Sequence, residues 1–435
     1  MGFREASEHL EALGIDAMKS MAPSLHRIEA LLEAMDHPQR RYPSIHVTGT
    51  NGKTSVAKIA GALLSVTGLK VGTYTSPHLE SMTERIALNG EPITEDAFGD
   101  AFDHLLPYLH TVEERLGEAL SYFEVMTALF FLWAAETPVD VAVVEVGLGG
   151  RWDATNVIDA PVAVITNIGL DHTQLLGDRP SIAKEKVGII KQGAEVITAE
   201  RDPAILEIID AATEGAGGTL SVTGRDFSVI ENKVALGGRY LSLLLRSRSY
   251  EGMFLPLHGA HQGVNAATAL EAVTSFLPPG SLADDVVADG LAMVNVPGRL
   301  ETVKTGRPDT VPVILDVAHN PDGLAALVAS LSEAFAFDRV VFVVGILKDK
   351  DHQGMIAELT RVPGAIIFTE PRFARSASIT ELEAAAERLG CPSTSVPGVA
   401  AAVEAALEEA GEADLVCVTG SHYVVGEARG YLLPS

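Results

Sequence analysis

The chain is short of cysteine, of aromatic residues and of positive charge, and it has no long uninterrupted apolar run. Its two cysteines, Cys391 and Cys417, match no metal-ligand spacing and make no disulfide framework, so a reducing compartment is expected. The longest apolar run, Val125 to Ala135, is closed by Glu124 and Glu136. It falls well short of the roughly 20 residues needed to cross a bilayer and is expected to be a buried helix. Arg4, Glu5, Glu8 and His9 break up the N-terminus, leaving no apolar region of the signal-peptide kind. Lysine and arginine total 32 against 58 aspartates and glutamates, a net charge of −26. Such a field repels nucleic acid and anionic membrane surfaces. An anionic substrate can bind only where local cations and backbone N–H groups converge. A cytoplasmic protein with no nucleic-acid or membrane partner is expected, and a monomer, since no exposed apolar stripe stands out.

What is present is apolar bulk and a repeated grammar. Of 435 residues, 47% are apolar, enough for two or three domains with a sizeable core. Leu25, Ile28, Leu32 and Met35 recur at helical spacing. Ile45–Thr48, the loop Gly49–Lys53, a helix from Thr54 to about Val66 and a strand over Leu69–Thr73 form a βαβ unit. Val139–Val146 and Val162–Ile168 are Val- and Ile-rich runs that suit strands buried on both faces of a parallel sheet. Between about Val222 and Leu257 the pattern changes to short alternating stretches with Gly-Gly and Tyr-Glu-Gly turns, read as a small antiparallel set, followed by a helix over His261–Phe276. After Pro297–Gly298 a second βα series begins, with strands at Val311–Val317, Arg339–Gly345, Ala365–Thr369 and Asp414–Thr419. The expected fold is α/β, with a boundary dividing the chain into 1–296 and 297–435.

Thr48-Gly-Thr-Asn-Gly-Lys-Thr-Ser55 lies between an expected strand and an expected helix. Glycines there let backbone N–H groups of Thr50, Asn51, Gly52 and Ser55 approach phosphate oxygens, and the helix end adds partial positive charge. Lys53 would reach the outer phosphates and the Thr54 hydroxyl a magnesium ion. The usual spacing places a glycine where Val47 stands, so this is a shortened phosphate loop. It points to a nucleoside triphosphate and not to one reaction. Glu145 ends an otherwise apolar strand, where a carboxylate is costly without a cation. The candidate partner is either Mg²⁺, which favours hard oxygens, or a basic side chain such as Arg151. Ser76, before Pro77, follows one strand and His172 another, at the same sheet edge. Lys184 and Lys186 read locally as solvated helix residues.

The ordered set resembles the Mur ligase superfamily, and within it the folylpolyglutamate synthase/dihydrofolate synthase family. It comprises Thr48–Ser55, Thr75–Leu79 with Glu84-Arg-Ile and Asn89-Gly, Glu145–Asn156, Ile165–Gly177, Glu185–Lys191, His261-Gln with Asn265, Pro297–Glu301, Asp316–Gly323 and Gly420-Ser421. The resemblance implies a P-loop-type central domain, with a mostly parallel sheet and a small antiparallel one, and a C-terminal Rossmann-like glutamate-ligase domain. It implies that Thr54, Ser76, Glu145 and His172 hold Mg²⁺. It also implies that Lys53, His172 and Lys186 are catalytic, with Lys186, or Lys184 beside it, carbamylated. Asn265, Arg299 and Asp316 join the phosphate loop around ATP. His319 and Ser421 match positions around the incoming L-glutamate. The pterin would lie near Ser121, Tyr122, Phe123, Asp153 and Ala154, where the two rings offer flat faces or simply pack in the core. The implied activity joins L-glutamate to dihydropteroate, to a reduced folate, or to both, through an acyl phosphate. A cell-wall peptide ligase and a non-catalytic nucleotide switch are the rival expectations.

Overall fold

The computed structural model describes residues 2–14, 24–171, 173–303 and 311–433. Its first sheet contains β1 (Ser44–Thr48), β2 (Val71–Tyr74), β3 (Ile86–Leu88), β4 (Glu91–Pro92), β5 (Val141–Glu145), β6 (Val162–Ile165), β7 (Glu195–Thr198) and β8 (Thr219–Val222), in the order 4-3-2-5-1-6-7-8. Strands 2, 5, 1, 6, 7 and 8 run parallel. β3 and β4 add an antiparallel edge. β1 therefore sits centrally, between β5 and β6, and its carboxyl end opens at the sheet's ligand edge.

Alternation along these strands divides the core in two. Ile45, Val47, Val141, Val143 and Val164 pack beneath the helices Lys53–Ser65 and Ala260–Phe276. Tyr74, Ala142 and Val144 face the opposite way, toward the helices Phe3–Ala12, His26–Ala34, Glu95–Leu116 and Tyr122–Glu136. The last of these helices holds the run Val125–Ala135 and is buried on every side, as its lack of polar periodicity requires. Tyr74 stacks on Phe130 at 5.1 Å. Each such ring, fully buried, contributes roughly 1.5–3 kcal/mol.

β9 (Ser228–Ala235), β10 (Gly238–Leu244) and β11 (Ser249–Leu255) form a separate antiparallel sheet. The antiparallel set expected from Val222 starts later, because Val222 closes β8 in the parallel sheet. The expected strand over Val162–Ile168 stops at Ile165, because residues 166 and 167 turn away to bond the phosphate loop.

The third sheet comprises β12 (Glu301–Val303), β13 (Val313–Leu315), β14 (Val340–Val344), β15 (Gly364–Phe368), β16 (Thr394–Ser395) and β17 (Leu415–Thr419), in the order 12-13-17-14-15-16. All pairs are parallel except β12–β13, and apolar layers cover both faces. Among the described residues no helix is long and apolar enough to cross a membrane. Both cysteines are free.

Candidate active site

The carboxyl ends of β1, β5 and β6 face those of β13, β14 and β17 across one cleft of about 470 Å³. The phosphate loop forms its floor. Gly49 (φ +147°) leaves no room for a side chain, since a Cβ would fall 1.8 Å from Thr166 Oγ1. Gly52 (φ +83°) takes a left-handed turn into the helix Lys53–Ser65 and lies against the Asn265 carboxamide. Gly52 brings no capping side chain, and the helix ladder begins with Val56 N–H to Gly52 O. The N–H groups of Lys53, Thr54 and Ser55 thus stand at the helix end, where an anion is favoured.

The loop is braced from the β6 side. Thr50 N–H donates to Asn167 O, Asn51 N–H to Asn167 Oδ1 and the Thr166 hydroxyl to Asn51 O, at 2.8, 2.8 and 2.6 Å. Gly169 N–H donates to Thr50 Oγ1. Asn320 reaches across the cleft to donate to Asn51 Oδ1 at 3.0 Å. Thr50 and Asn51, expected as phosphate donors, line the cleft but spend these groups on shaping the loop.

Glu145 is buried at the end of β5. Its Oε1 accepts from the Thr54 hydroxyl at 3.0 Å and its Oε2 from Ser76 N–H at 3.2 Å. Burial pushes its pKa up, opposed chiefly by Lys53. Among the described residues no cluster of three His, Cys, Asp or Glu side chains is set for a metal. A buried carboxylate bonded to the Thr54 hydroxyl, with the hydroxyl-bearing Ser76 next to it in the cleft lining, is nonetheless a hard-oxygen set of the kind Mg²⁺ shares with phosphates. The fourth expected ligand, His172, lies outside the described residues.

Two lysines flank this cluster, Lys53 half-buried and Lys186 buried. Lys53 Nζ donates to Thr50 O at 3.2 Å, and burial lowers its pKa. Lys186 Nζ donates to Gly49 O at 2.7 Å. Burial, and then the Lys53 charge, bring the Lys186 pKa down to about 7. Lys184, the other candidate, lies on the same helix, Arg179–Lys186, but does not line the cleft.

The opposite wall comes from the third sheet. Asp316 accepts from Leu300 N–H at 3.0 Å and Ala318 N–H at 2.9 Å. Leu300 has a left-handed backbone (φ +49°), a strained position for a branched residue. Asp316 therefore holds the turn that presents Arg299 to the cleft. Burial raises the Asp316 pKa and Arg299 opposes it most. His319 Nδ1 donates to Val317 O at 2.9 Å, and its Nε2 is 3.4 Å from Asp171. Lys350 pairs with the same Asp171 at 2.5 Å, with both side chains buried. Ser421 caps the helix His422–Leu432, accepting from Val424 N–H at 3.2 Å. The sequence reading assigned no role to Lys350, Asn167 or Asn320. Lys350 sits in Lys348-Asp-Lys-Asp351, which reads as a solvated charge run, and only the fold brings it to Asp171.

The five expected pterin contacts stand apart from this lining. Ser121 caps the helix Tyr122–Glu136 and bonds Glu124. Tyr122 is buried beneath the Arg85 guanidinium, which lies 5.3 Å from its ring centre. Phe123 comes nearest, its ring packed on Gly147 of the cleft wall. Asp153 is buried, accepting from Leu148 N–H and from Thr155. Ala154 belongs to the core.

Comparison with known proteins gives a consistent picture. The Mur ligase middle domain matches residues 47–273, and the Mur ligase glutamate ligase domain matches residues 298–422. The dihydrofolate synthase/folylpolyglutamate synthase of Mycobacterium tuberculosis is 41% identical over 386 residues, 85% of this chain and 78% of the relative. The structure of Mycobacterium tuberculosis folylpolyglutamate synthase complexed with ADP superposes with a TM-score of 0.94 at 36% identity, covering 100% of this chain and 98% of the other. A solved FPGS–AMPPCP–folate complex superposes at 0.86 with 31% identity, covering 100% of both chains.

Proposed function

The chain belongs to the folylpolyglutamate synthase/dihydrofolate synthase family of Mur ligases, and from that membership we propose that it ligates L-glutamate to folates at the expense of ATP, acting on dihydropteroate as well as on reduced folate. The observation that carries this reading is the pairing of two anion-binding walls across one cleft. The helix end with Lys53 lies on one side, and Arg299 and Lys350 on the other.

A carboxylate is a poor electrophile, so the γ-phosphoryl of ATP passes first to the substrate carboxylate. The loop N–H groups and Lys53 hold the phosphates, and Arg299 meets the charge that spreads over the transferring group. Asn265 lies against Gly52, where the loop enters the helix, and would stand beside the nucleotide. Thr54, Ser76 and Glu145, with His172, would hold Mg²⁺, which when bound neutralises phosphate charge. The neutral amine of glutamate, oriented by His319 and Ser421, attacks the acyl phosphate. The tetrahedral adduct gives up one N–H proton to solvent and breaks its C–O bond to the phosphoryl group, leaving amide and inorganic phosphate. Closure of residues 1–296 on 297–435 keeps water from the acyl phosphate.

Lys186 is the carbamylated lysine in this reading. Its uncharged amine attacks CO₂, the N–C bond forms as a C=O electron pair moves to oxygen, and one proton leaves to solvent. The product is an anion beside the phosphate loop. The pterin runs past Gly147 toward Phe123, with Ser121, Tyr122, Asp153 and Ala154 shaping that wall from behind. Action as a monomer in the cytoplasm belongs to the same reading, and the two free cysteines suit that compartment.

The test is phosphate release with ATP, Mg²⁺ and L-glutamate, run with dihydropteroate, tetrahydrofolate or no pterin. Turnover with both pterins is expected. Turnover with one alone removes the other from the activity, and pterin-independent release rejects the proposal.

A further inference from the structure

Three polar side chains behind the cleft form a buried chain. Ile45 and Val47 point into the core beneath Ala260–Phe276, so His46, between them on β1, points to the opposite face. His46 is fully buried, and its Nε2 lies 2.8 Å from Thr155 Oγ1. The Thr155 hydroxyl donates to Asp153 Oδ1 at 2.5 Å. A hydroxyl has one hydrogen, so toward His46 it must accept. That fixes the imidazole as the Nε2–H tautomer and leaves Nδ1 bare, in keeping with a buried Nδ1 that has no partner among the described residues.

Asp153 ends the chain. Its Oδ1 also accepts from Thr155 N–H at 3.0 Å, and its Oδ2 accepts from Leu148 N–H at 2.9 Å. Leu148, with Gly147 and Gly149, lines the cleft just beyond Glu145 and the core residue Val146. Gly149 O is tied to β1 a second time, by the Thr48 hydroxyl at 2.8 Å. Gly150 is pressed against the Lys186 backbone. A turn this rich in glycine does not hold one shape by itself. A buried carboxylate saturated with donors holds it, and an uncharged imidazole terminates the chain without burying a second charge.

We propose that His46, acting through Thr155 and Asp153, is a positioning residue that holds the Gly147–Leu148–Gly149 turn in the shape that admits the carboxylate-bearing substrate. It touches no substrate. The kinetic half of its test rests on the ligase reading above, and the structural half does not.

Thr155→Val keeps the side-chain shape and removes the middle of the chain, His46→Leu removes its end, and Thr155→Ser restores the hydroxyl. Amide hydrogen exchange at Leu148 is measured in the resting full-length protein. KM for the pterin substrate and for ATP, with kcat, are then measured separately. Thr155→Val and His46→Leu are expected to speed Leu148 exchange at least tenfold. They should raise the pterin KM at least fivefold, with the ATP KM and kcat within twofold, and Thr155→Ser should match the parent. Unchanged Leu148 exchange overturns the proposal. So does a uniform rise in exchange across the first sheet with all kinetic constants falling together. Should Thr155→Val fail to fold, His46→Gln, which keeps an N–H donor, must retain slow Leu148 exchange, and fast exchange there overturns the proposal. If the parent shows no ligase turnover, the proposed function fails, and the exchange result alone decides the role of His46.

Discussion

The wall that carries the phosphate loop is made largely of backbone, whereas the wall opposite is made of side chains that already have charged partners across the cleft. On the first, positive φ at Gly49 and Gly52 aims a helix end into the cleft, and Thr166 and Asn167 hold the loop from behind. On the second, His319 and Lys350 reach across the cleft to Asp171, which follows β6, and Arg299 stands on a turn pinned by Asp316. A backbone site keeps its shape whether or not a ligand is present. A site of paired charges has to exchange partners when an anion enters, so its ion pairs are part of the binding equilibrium.

The largest effect expected separates chemistry from stability on the backbone wall. Glu145→Gln keeps the shape and both neighbours while removing a charge that burial disfavours. Turnover should fall by about 10³-fold, with the thermal midpoint unchanged or higher. Phosphate release and a melting curve on the same sample check this. Turnover within tenfold of the parent would remove Glu145 from the reaction. On the facing wall the order reverses. Lys350→Met takes the ammonium away from the buried Asp171, leaving His319 beside it, and should cost about 3 kcal/mol of unfolding free energy in denaturant titration. Adding Asp171→Asn should recover most of it, and an additive double mutant would show that the two are not coupled.

The same difference explains what could be read before the fold was known. Glycines at fixed offsets, a lysine and a hydroxyl residue are required by a phosphate-binding backbone, so Thr48–Ser55 carries its function in its spelling. Glu145 was legible because a carboxylate ending an apolar strand is costly. The parallel sheet was legible in its Val- and Ile-rich runs. Lys350, Asp171 and Asn320 were not, since each is an ordinary loop residue until three strand ends from distant parts of the chain are brought together. Thr50 and Asn51 were read as phosphate donors because local sequence does not show that Asn167 already occupies their N–H groups. Asp153 was placed beside the pterin, and local sequence could not reveal that Leu148 and Thr155 saturate its carboxylate.

Lys186 stands between the two kinds of wall, a side chain bonded to the backbone of the phosphate loop. Lys186→Met should lower turnover by about 10²-fold, the low end for a positioned catalytic group. In the parent, a ¹³C carbamate signal from labelled CO₂ should strengthen as pH rises through about 7, the value to which burial brings this amine, because only the uncharged amine attacks. Stability should follow the same group in CO₂-free buffer. The unfolded lysine holds its proton to near 10.5 and the folded one only to about 7, so between these values the unfolded state binds more protons. Stability should therefore rise with pH across that window, and Lys186→Met should remove that slope. A carbamate signal that survives the substitution would assign it to another lysine.

The smallest effect is expected outside the cleft, where a charge pair has no ligand to exchange with. Arg239, buried on β10, makes a two-pronged contact with Glu333 of the helix Pro321–Ala334, at 2.8 and 3.0 Å. The hydrogen bond from Arg239 is the main cause holding the Glu333 carboxyl below its usual range. A depressed carboxylate stabilises the fold above its unfolded pKa and loses that contribution as pH falls through the folded one. Glu333 is 39% exposed along its side chain, so solvent screening limits the contribution to less than about 1 kcal/mol. Glu333→Gln should accordingly flatten the acid limb of the stability curve slightly and leave turnover at neutral pH alone. If it instead lowered turnover as Lys350→Met is expected to disturb the cleft, the pair would belong to the working wall, and the boundary between strut and site would have to be moved outward to the small antiparallel sheet.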